Sequence, residues 1–167
     1  MDKLQVEAEQ TAKATPETVW AIISDPTQYP QFGPWSGADY RNDEGDAPPG
    51  TVGSVYWLKS SRRAYLRYAT SVEKILELNE GRSLAYTVVG GIPVKNYRAD
   101  ITLTPVEGGT HIRWAATWDS TMSGRIVHKS LAVLYPEIVN GLARLAEQKS
   151  QASRGPEPES DPGSAPS

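Results

Sequence analysis

Residues 19–32, VWAIISDPTQYPQF, decide how the chain is read. Val19, Trp20, Ile22 and Ile23 fall at helical spacing, and Thr15-Pro16-Glu17 just before them supplies an N-cap candidate followed by proline at the first turn. Asp25-Pro26 stops that helix, because proline lacks the amide hydrogen and restricts the residue before it. Thr27 to Phe32 has room for one more short helix before Gly33-Pro34 breaks the chain again. Two stunted helices this early, on a chain that otherwise alternates with a period of two, predict a strand-rich domain whose open end needs plugging.

Working outward, residues 4–12, LQVEAEQTA, alternate weakly and read as the first strand. Downstream of the helices, alternating segments fall near 36–42, 51–59, 64–78, 82–90, 95–106 and 110–119, separated by NDEGDAPPG, SSRR, NEG, GGIP and EGG. Connections this short and rich in turn residues join antiparallel neighbours, so the expectation is seven strands in one antiparallel sheet. From Ser123 the period turns helical, with Val127, Leu131, Leu134, Ile138, Leu142 and Leu145 on one stripe. Pro136 inside that run removes a backbone hydrogen bond and predicts a kink near Ala132, dividing the helix into a half beside a cavity and a half packed as core. From Gln148 the sequence QKSQASRGPEPESDPGSAPS loses its apolar residues and predicts disorder. The expected organisation is one α+β domain over residues 1–149 and a Pro/Ser/Glu-rich tail over 150–167.

A seven-stranded sheet with one apolar face must cover it, and the long C-terminal helix is the only element large enough. The predicted architecture is therefore a curved antiparallel sheet wrapped around that helix, its end closed by the two short helices and by bulky aromatics, or by a ligand. Composition agrees with such a container: five Trp and eight Tyr stand against one Phe, and these rings pair a large apolar body with a hydrogen-bonding tip.

Other functional classes find little support. The net charge is −3 with Lys and Arg dispersed, which speaks against a nucleic-acid partner. No run approaches the roughly 18–20 apolar residues of a membrane span, and MDKLQVEAEQ lacks the apolar core of a secretory signal, so a soluble cytoplasmic protein is expected. Without cysteine there is no disulfide, thiol nucleophile or thiolate metal site, and His111 and His128 alone do not make a metal cage. Neither a Walker motif nor a dinucleotide fingerprint is present, and no cofactor is expected. A monomer and a homodimer are equally compatible with the sequence.

The order strand, two short helices, six strands, long helix, taken with VWAIISDPTQYPQF, PPGTVGS, GRSLAYTVVGG and GGTHIRW, resembles the START-like helix-grip (SRPBCC) superfamily. That superfamily holds polyketide cyclases and dehydrases, lipid-transfer domains and the Bet v 1-like pathogenesis-related plant proteins. The resemblance spans about residues 4–147. VVGGIPVKNYRADI is also similar to the matching stretch of plant abscisic acid receptors, which implies that Tyr86, Tyr97 and Ala99 face the cavity. GGIPVKNYR is shorter than the receptor segment and lacks its latch His-Arg-Leu, so hormone sensing does not carry over.

Alternation assigns faces. In THIRWAATWD the set Ile112, Trp114, Ala116 and Trp118 turns towards the helix, and in the strand before it Tyr97, Ala99, Ile101 and Leu103 do the same. Leu84, Tyr86 and Val88 form the inward set of LAYTVVG, and the small Ala99 and Ala116 among large residues predict internal room. Strand 51–59 is ambiguous, Val55 and Trp57 competing with Tyr56 and Leu58, and Tyr56 is taken as inward. Tyr68 shares a face with Leu66 and Val72. The candidate ligand-binding set is Trp35, Tyr56, Tyr68, Tyr86, Val88, Tyr97, Ala99, Trp114, Trp118 and Leu131.

His128 falls about 60° from the centre of the helical stripe, within reach of a cavity mouth, and is the alternative's candidate acid or base, with Tyr97 as its partner. An edge histidine that packs a helix fits the same position, and His111 should face solvent. Arg62, Arg63 and Arg67 with Lys59 form either an anion-binding rim or a charged hairpin edge. Three functions follow: a carrier or binding protein for a hydrophobic or aromatic small molecule such as a lipid or polyketide; a cyclase/dehydrase-like enzyme using cavity Tyr and His for proton transfer; or a stress-related domain filled by its own rings.

Overall fold

The computed structural model describes residues 2–61 and 70–155. Seven strands make one antiparallel sheet: β1 (Lys3–Ala12), β2 (Trp35–Arg41), β3 (Val55–Ser60), β4 (Thr70–Asn79), β5 (Ser83–Gly90), β6 (Arg98–Val106) and β7 (Gly109–Asp119). Their spatial order is β1-β7-β6-β5-β4-β3-β2. The chain must therefore pass from one edge strand, β1, to the other, β2, and the short helices α1 (Pro16–Ile23) and a 3₁₀ helix (Pro26–Gln31) make that crossing.

The local chemistry of the crossing matches its sequence. The Thr15 hydroxyl accepts from the Thr18 amide at 3.3 Å, capping α1. Asp25 Oδ1 accepts from the Thr27 amide at 3.1 Å, capping the 3₁₀ turn. Tyr29, almost fully buried, donates its hydroxyl to the Ile23 carbonyl at 2.7 Å. One side chain thus satisfies an orphan carbonyl of α1 and locks the two stunted helices together.

The long helix α2 (Met122–Arg154) lies against the concave face. It is continuous through Pro136, whose exposed position leaves the Ala132 carbonyl on the solvent side of the helix. It also reaches Arg154, beyond the Gln148 at which order was expected to fade. Strand bounds shift by a few residues: residues 51–54 are turn rather than strand, and β6 begins at Arg98, so Tyr97 sits in the loop ahead of it. Tyr56 is inward as expected, fully buried, and Val55 and Leu58 are buried with it.

Packing is tight towards the C-terminal end of α2. A Cβ on Gly141 would lie 2.0 Å from the Phe32 carbonyl oxygen, so only glycine lets the helix approach the 3₁₀ turn this closely. Two cross-links reinforce that end: Gln10 Nε2 donates to Asn140 Oδ1 at 2.9 Å, and the Lys13 amide donates to Glu147 Oε1 at 2.9 Å. Val139, Leu142, Ala143 and Ala146 are buried there.

Candidate functional site: an aromatic cavity under the long helix

The register places large inward side chains next to one another. Ile75 of β4 faces Tyr86 of β5, Tyr86 faces Ala99 of β6, and Ala99 faces Ala116 of β7. In β7, Ile112, Trp114, Ala116 and Trp118 are all buried, as alternation predicted. Between these strands and residues 129–138 of α2 lies a cavity of about 220 Å³. Tyr86, Tyr97 and Trp114 form one wall, Leu131, Leu134, Tyr135 and Ile138 of α2 the facing one, and Tyr29, Trp35, Leu58, Ser60, Ser71 and Glu73 its end. Pro34, Ile92, Lys129, Ser130 and Val133 border it towards the surface.

Hydrogen bonds hold the rings in place. Trp114 Nε1 donates to the Tyr86 hydroxyl at 3.0 Å. The hydroxyls of Tyr97 and Tyr135 meet in a hydrogen bond that ties the sheet side to α2. Tyr97 stacks on Trp118 at 5.7 Å between ring centres, and Thr87 donates to the Tyr97 carbonyl at 2.6 Å. Asn96, at φ 52°, turns the chain just before Tyr97, and its amide donates to Asp119 Oδ2 at 2.7 Å. Asp119 is held by Lys3 as well, at 2.6 Å, and the Lys3 and Asn96 hydrogen bonds keep its carboxyl below the usual range. Tyr97 is thus positioned from both sides of the loop.

The other polar element is a carboxyl. Glu73 Oε2 accepts from the Tyr56 hydroxyl at 2.6 Å and Oε1 from the Ser71 hydroxyl at 3.2 Å. Burial disfavours the charged form and pushes its pKa up to about 7, against the opposing pull of those two donors. Burial likewise drives the hydroxyls of Tyr29, Tyr56, Tyr86 and Tyr97 well above their ordinary pKa and raises that of Tyr135, so all five stay protonated hydrogen-bond donors at neutral pH.

Of the candidate residues, the structure brings Trp35, Tyr86, Tyr97, Trp114 and Leu131 to the cavity. Tyr56 stands behind Glu73 rather than at the surface of the hollow. Val88 opposes Glu73 across β4 and β5 and is half-buried outside it. Ala99 and Ala116 are buried away from the cavity, because the neighbouring rings of Tyr86, Tyr97, Trp114 and Trp118 touch one another around them. Trp118 is spent on structure, its indole N–H donating to the Gly124 carbonyl at 3.0 Å at the start of α2. His128 does not reach the cavity: its Nε2 donates to the Gln5 carbonyl at 3.0 Å, and its ring lies against Trp118. Tyr68 and the cluster Arg62, Arg63 and Arg67 lie outside the described residues. Among the described residues no group of three or more His, Cys, Asp or Glu is placed to hold a metal ion, and no helix is long and apolar enough to cross a membrane.

Sequence reading missed Glu73, Tyr135 and Tyr29. Tyr135 carries a helical-spacing signal, four residues after Leu131 and three before Ile138. Glu73 was masked by a bulge. Ile75 pairs Tyr86 and Glu77 pairs Ala85, leaving Leu76 unpaired and reversing which residues of β4 point inward.

A family model described as polyketide cyclase / dehydrase and lipid transport matches residues 3–148. The chain belongs to the polyketide cyclase / dehydrase and lipid transport family. This is the START-like grouping that its motifs resemble, and family and fold together are those of a ligand-binding helix-grip protein. Solved structures of low identity share the fold. A Thermobifida fusca protein solved in solution is 20% identical with a TM-score of 0.68, over 86% of this chain and 93% of its own. A Mesorhizobium loti protein is 17% identical with a TM-score of 0.67, over 87% and 98% respectively. A Nitrosospira multiformis protein is 16% identical with a TM-score of 0.68, over 89% and 99%. Comparison with curated proteins returns no match.

Proposed function

We propose that this family member binds an apolar, ring-bearing small molecule in the cavity beneath α2, as a carrier or binding protein. The observation that carries this reading is a hollow of about 220 Å³ walled by Tyr and Trp rings whose polar tips are already tied to one another. Rings fixed in this way offer a rigid apolar surface, and a preformed site loses little entropy on binding. An apolar cavity of about 150 Å³ holds a benzene molecule. The volume here suits a ligand of one or two fused rings, with a longer tail leaving between Val133 and Ile92 at the mouth.

The test is native mass spectrometry of protein purified without detergent, joined to a tryptophan-fluorescence titration with naphthalene. The expected result is a retained small-molecule adduct or saturable naphthalene binding, abolished in Leu134→Trp, whose indole fills the hollow without changing the secondary structure. No adduct and no naphthalene binding would overturn the reading.

A second reading, a cyclase/dehydrase-like enzyme, is favoured by one observation: the Tyr97–Tyr135 hydroxyl pair and a carboxyl titrating near neutrality, Glu73, border the same cavity. Such a pair can donate to a developing oxyanion while a carboxylate moves a proton. Tyr97→Phe then abolishes turnover of an enolisable carbonyl compound while its binding persists. Binding without turnover in the unaltered protein speaks for the carrier.

A further inference from the structure

We infer that Glu73 makes the cavity selective for a cationic ligand, a protonated amine on an apolar aromatic body. The inference rests on the reading of the hollow as a binding site and adds what the ligand must carry. Glu73 is buried, borders the cavity, and has a hydroxyl within hydrogen-bond distance of each oxygen, Tyr56 at one and Ser71 at the other, an arrangement that suits an ionised carboxylate. Tyr56 and Ser71 leave lone pairs on both oxygens, and among the described residues no lysine, arginine or histidine is paired with it.

Among the described residues, the groups around Glu73 come from several packed elements, and all but one are uncharged. They are Tyr29 of the 3₁₀ helix, Tyr56 of β3, Tyr86 of β5, Tyr97 before β6 and Tyr135 of α2, each of which is affected by the carboxylate's charge. Lys129 is the exception, and it stands exposed at the rim. A buried carboxylate that meets no cation among the described residues is a costly feature for a binding surface that takes only neutral hydrocarbon. Its surroundings fit a ligand cation instead. Ammonium binds a carboxylate by charge-assisted hydrogen bonds, and Trp and Tyr rings such as Trp35, Tyr29 and Trp114 attract cations through their faces.

The geometry also defines a signature. An ammonium ligand requires the ionised carboxylate, so it binds more tightly as Glu73 loses its proton and releases that proton where it was still held. A neutral ligand of the same shape has no such dependence.

The experiment is isothermal titration calorimetry with tryptamine and tryptophol, which share an indole-ethyl body and differ in ammonium against hydroxyl. In the unaltered protein at pH 7.5, tryptamine is expected to bind at least tenfold more tightly than tryptophol. Its affinity falls more than tenfold at pH 5.5, where its own amine remains protonated, while that of tryptophol stays within twofold. Glu73→Gln, which keeps an acceptor for Tyr56, removes the preference, bringing the two affinities within threefold of each other at pH 7.5. Equal affinities, no binding of either indole, or a preference that survives both acid and Glu73→Gln would overturn the inference. The pH series needs no variant, so it decides even if Glu73→Gln folds poorly. Naphthalene binding without amine preference would sink this inference and leave the cavity reading standing, whereas the absence of both a retained adduct and naphthalene binding would remove both.

Discussion

From Val139 to Ser150, α2 closes directly on its neighbours; from Lys129 to Ile138 it stands off the sheet over a hollow. The sequence difference is one of side-chain size. The closed half brings Gly141, Ala143 and Ala146 inward, so the helix backbone comes within reach of the Phe32 carbonyl. The open half brings Leu131, Tyr135 and Ile138 to face Tyr86, Tyr97 and Trp114. Large side chains on both surfaces, meeting tip to tip at the Tyr97–Tyr135 hydroxyl pair, act as struts and hold the helix away. Small residues let elements approach and long ones separate them; only the second arrangement leaves room for a guest.

That contrast can be broken most forcefully in the closed half. Leu142→Ala removes a fully buried side chain and is expected to cost about 4 kcal/mol of stability in denaturant unfolding, while Leu134→Ala, which borders existing space, costs less than about 1 kcal/mol. Equal costs would mean that the two halves are packed alike. Gly141→Ala, forced against the Phe32 carbonyl oxygen, is expected to cost about 3 kcal/mol, read as a lowered Tm.

Proton linkage sharpens the same contrast from the open side. Glu73 holds its proton more tightly folded, at a pKa of about 7, than unfolded, so its contribution is fully present below pH 4.5 and is lost as pH rises to 7. The loss is on the order of 3 kcal/mol at about 1.4 kcal/mol per unit. Glu7 and Asp119, held below the usual carboxylate range by their cationic partners, act in the opposite sense at lower pH. The stability difference between Glu73→Gln and the unaltered protein isolates the Glu73 effect, and it should grow in favour of the variant from pH 4.5 to 7. A smaller effect is expected of Tyr97→Phe, about 1 kcal/mol for the hydroxyl contact with Tyr135, measured by chemical unfolding.

The closed half of this comparison was legible in the sequence and the open half only partly. VWAIISDPTQYPQF with the Thr15 cap before it gave two short helices, alternation gave the inward rows of β6 and β7, and one apolar stripe gave α2. Those signals are local and depend on period alone. Glu73 was not legible, because one unpaired residue, Leu76, reverses the alternation that would have flagged it, and register is a property of two strands. The alanine pair misled for a related reason. Ala99 and Ala116 do leave space, but whether rings lean into it depends on rotamers, and here the four neighbouring rings close over it. His128 lies near the stripe as its helical angle indicates, yet the Gln5 carbonyl across from it, a long-range partner, turns its ring to β1.

The central claim is that the space beneath residues 129–138 of α2 is open to a guest while the space beneath the closed half is not. Crystals of the protein pressurised with xenon test it most directly, since apolar hollows take up that atom without any change in chemistry. Xenon density is expected between Trp114, Leu131 and Tyr135, and none around Leu142. Xenon absent from the first position, with the rings of Tyr86, Tyr97 and Trp114 collapsed onto α2, would contradict it.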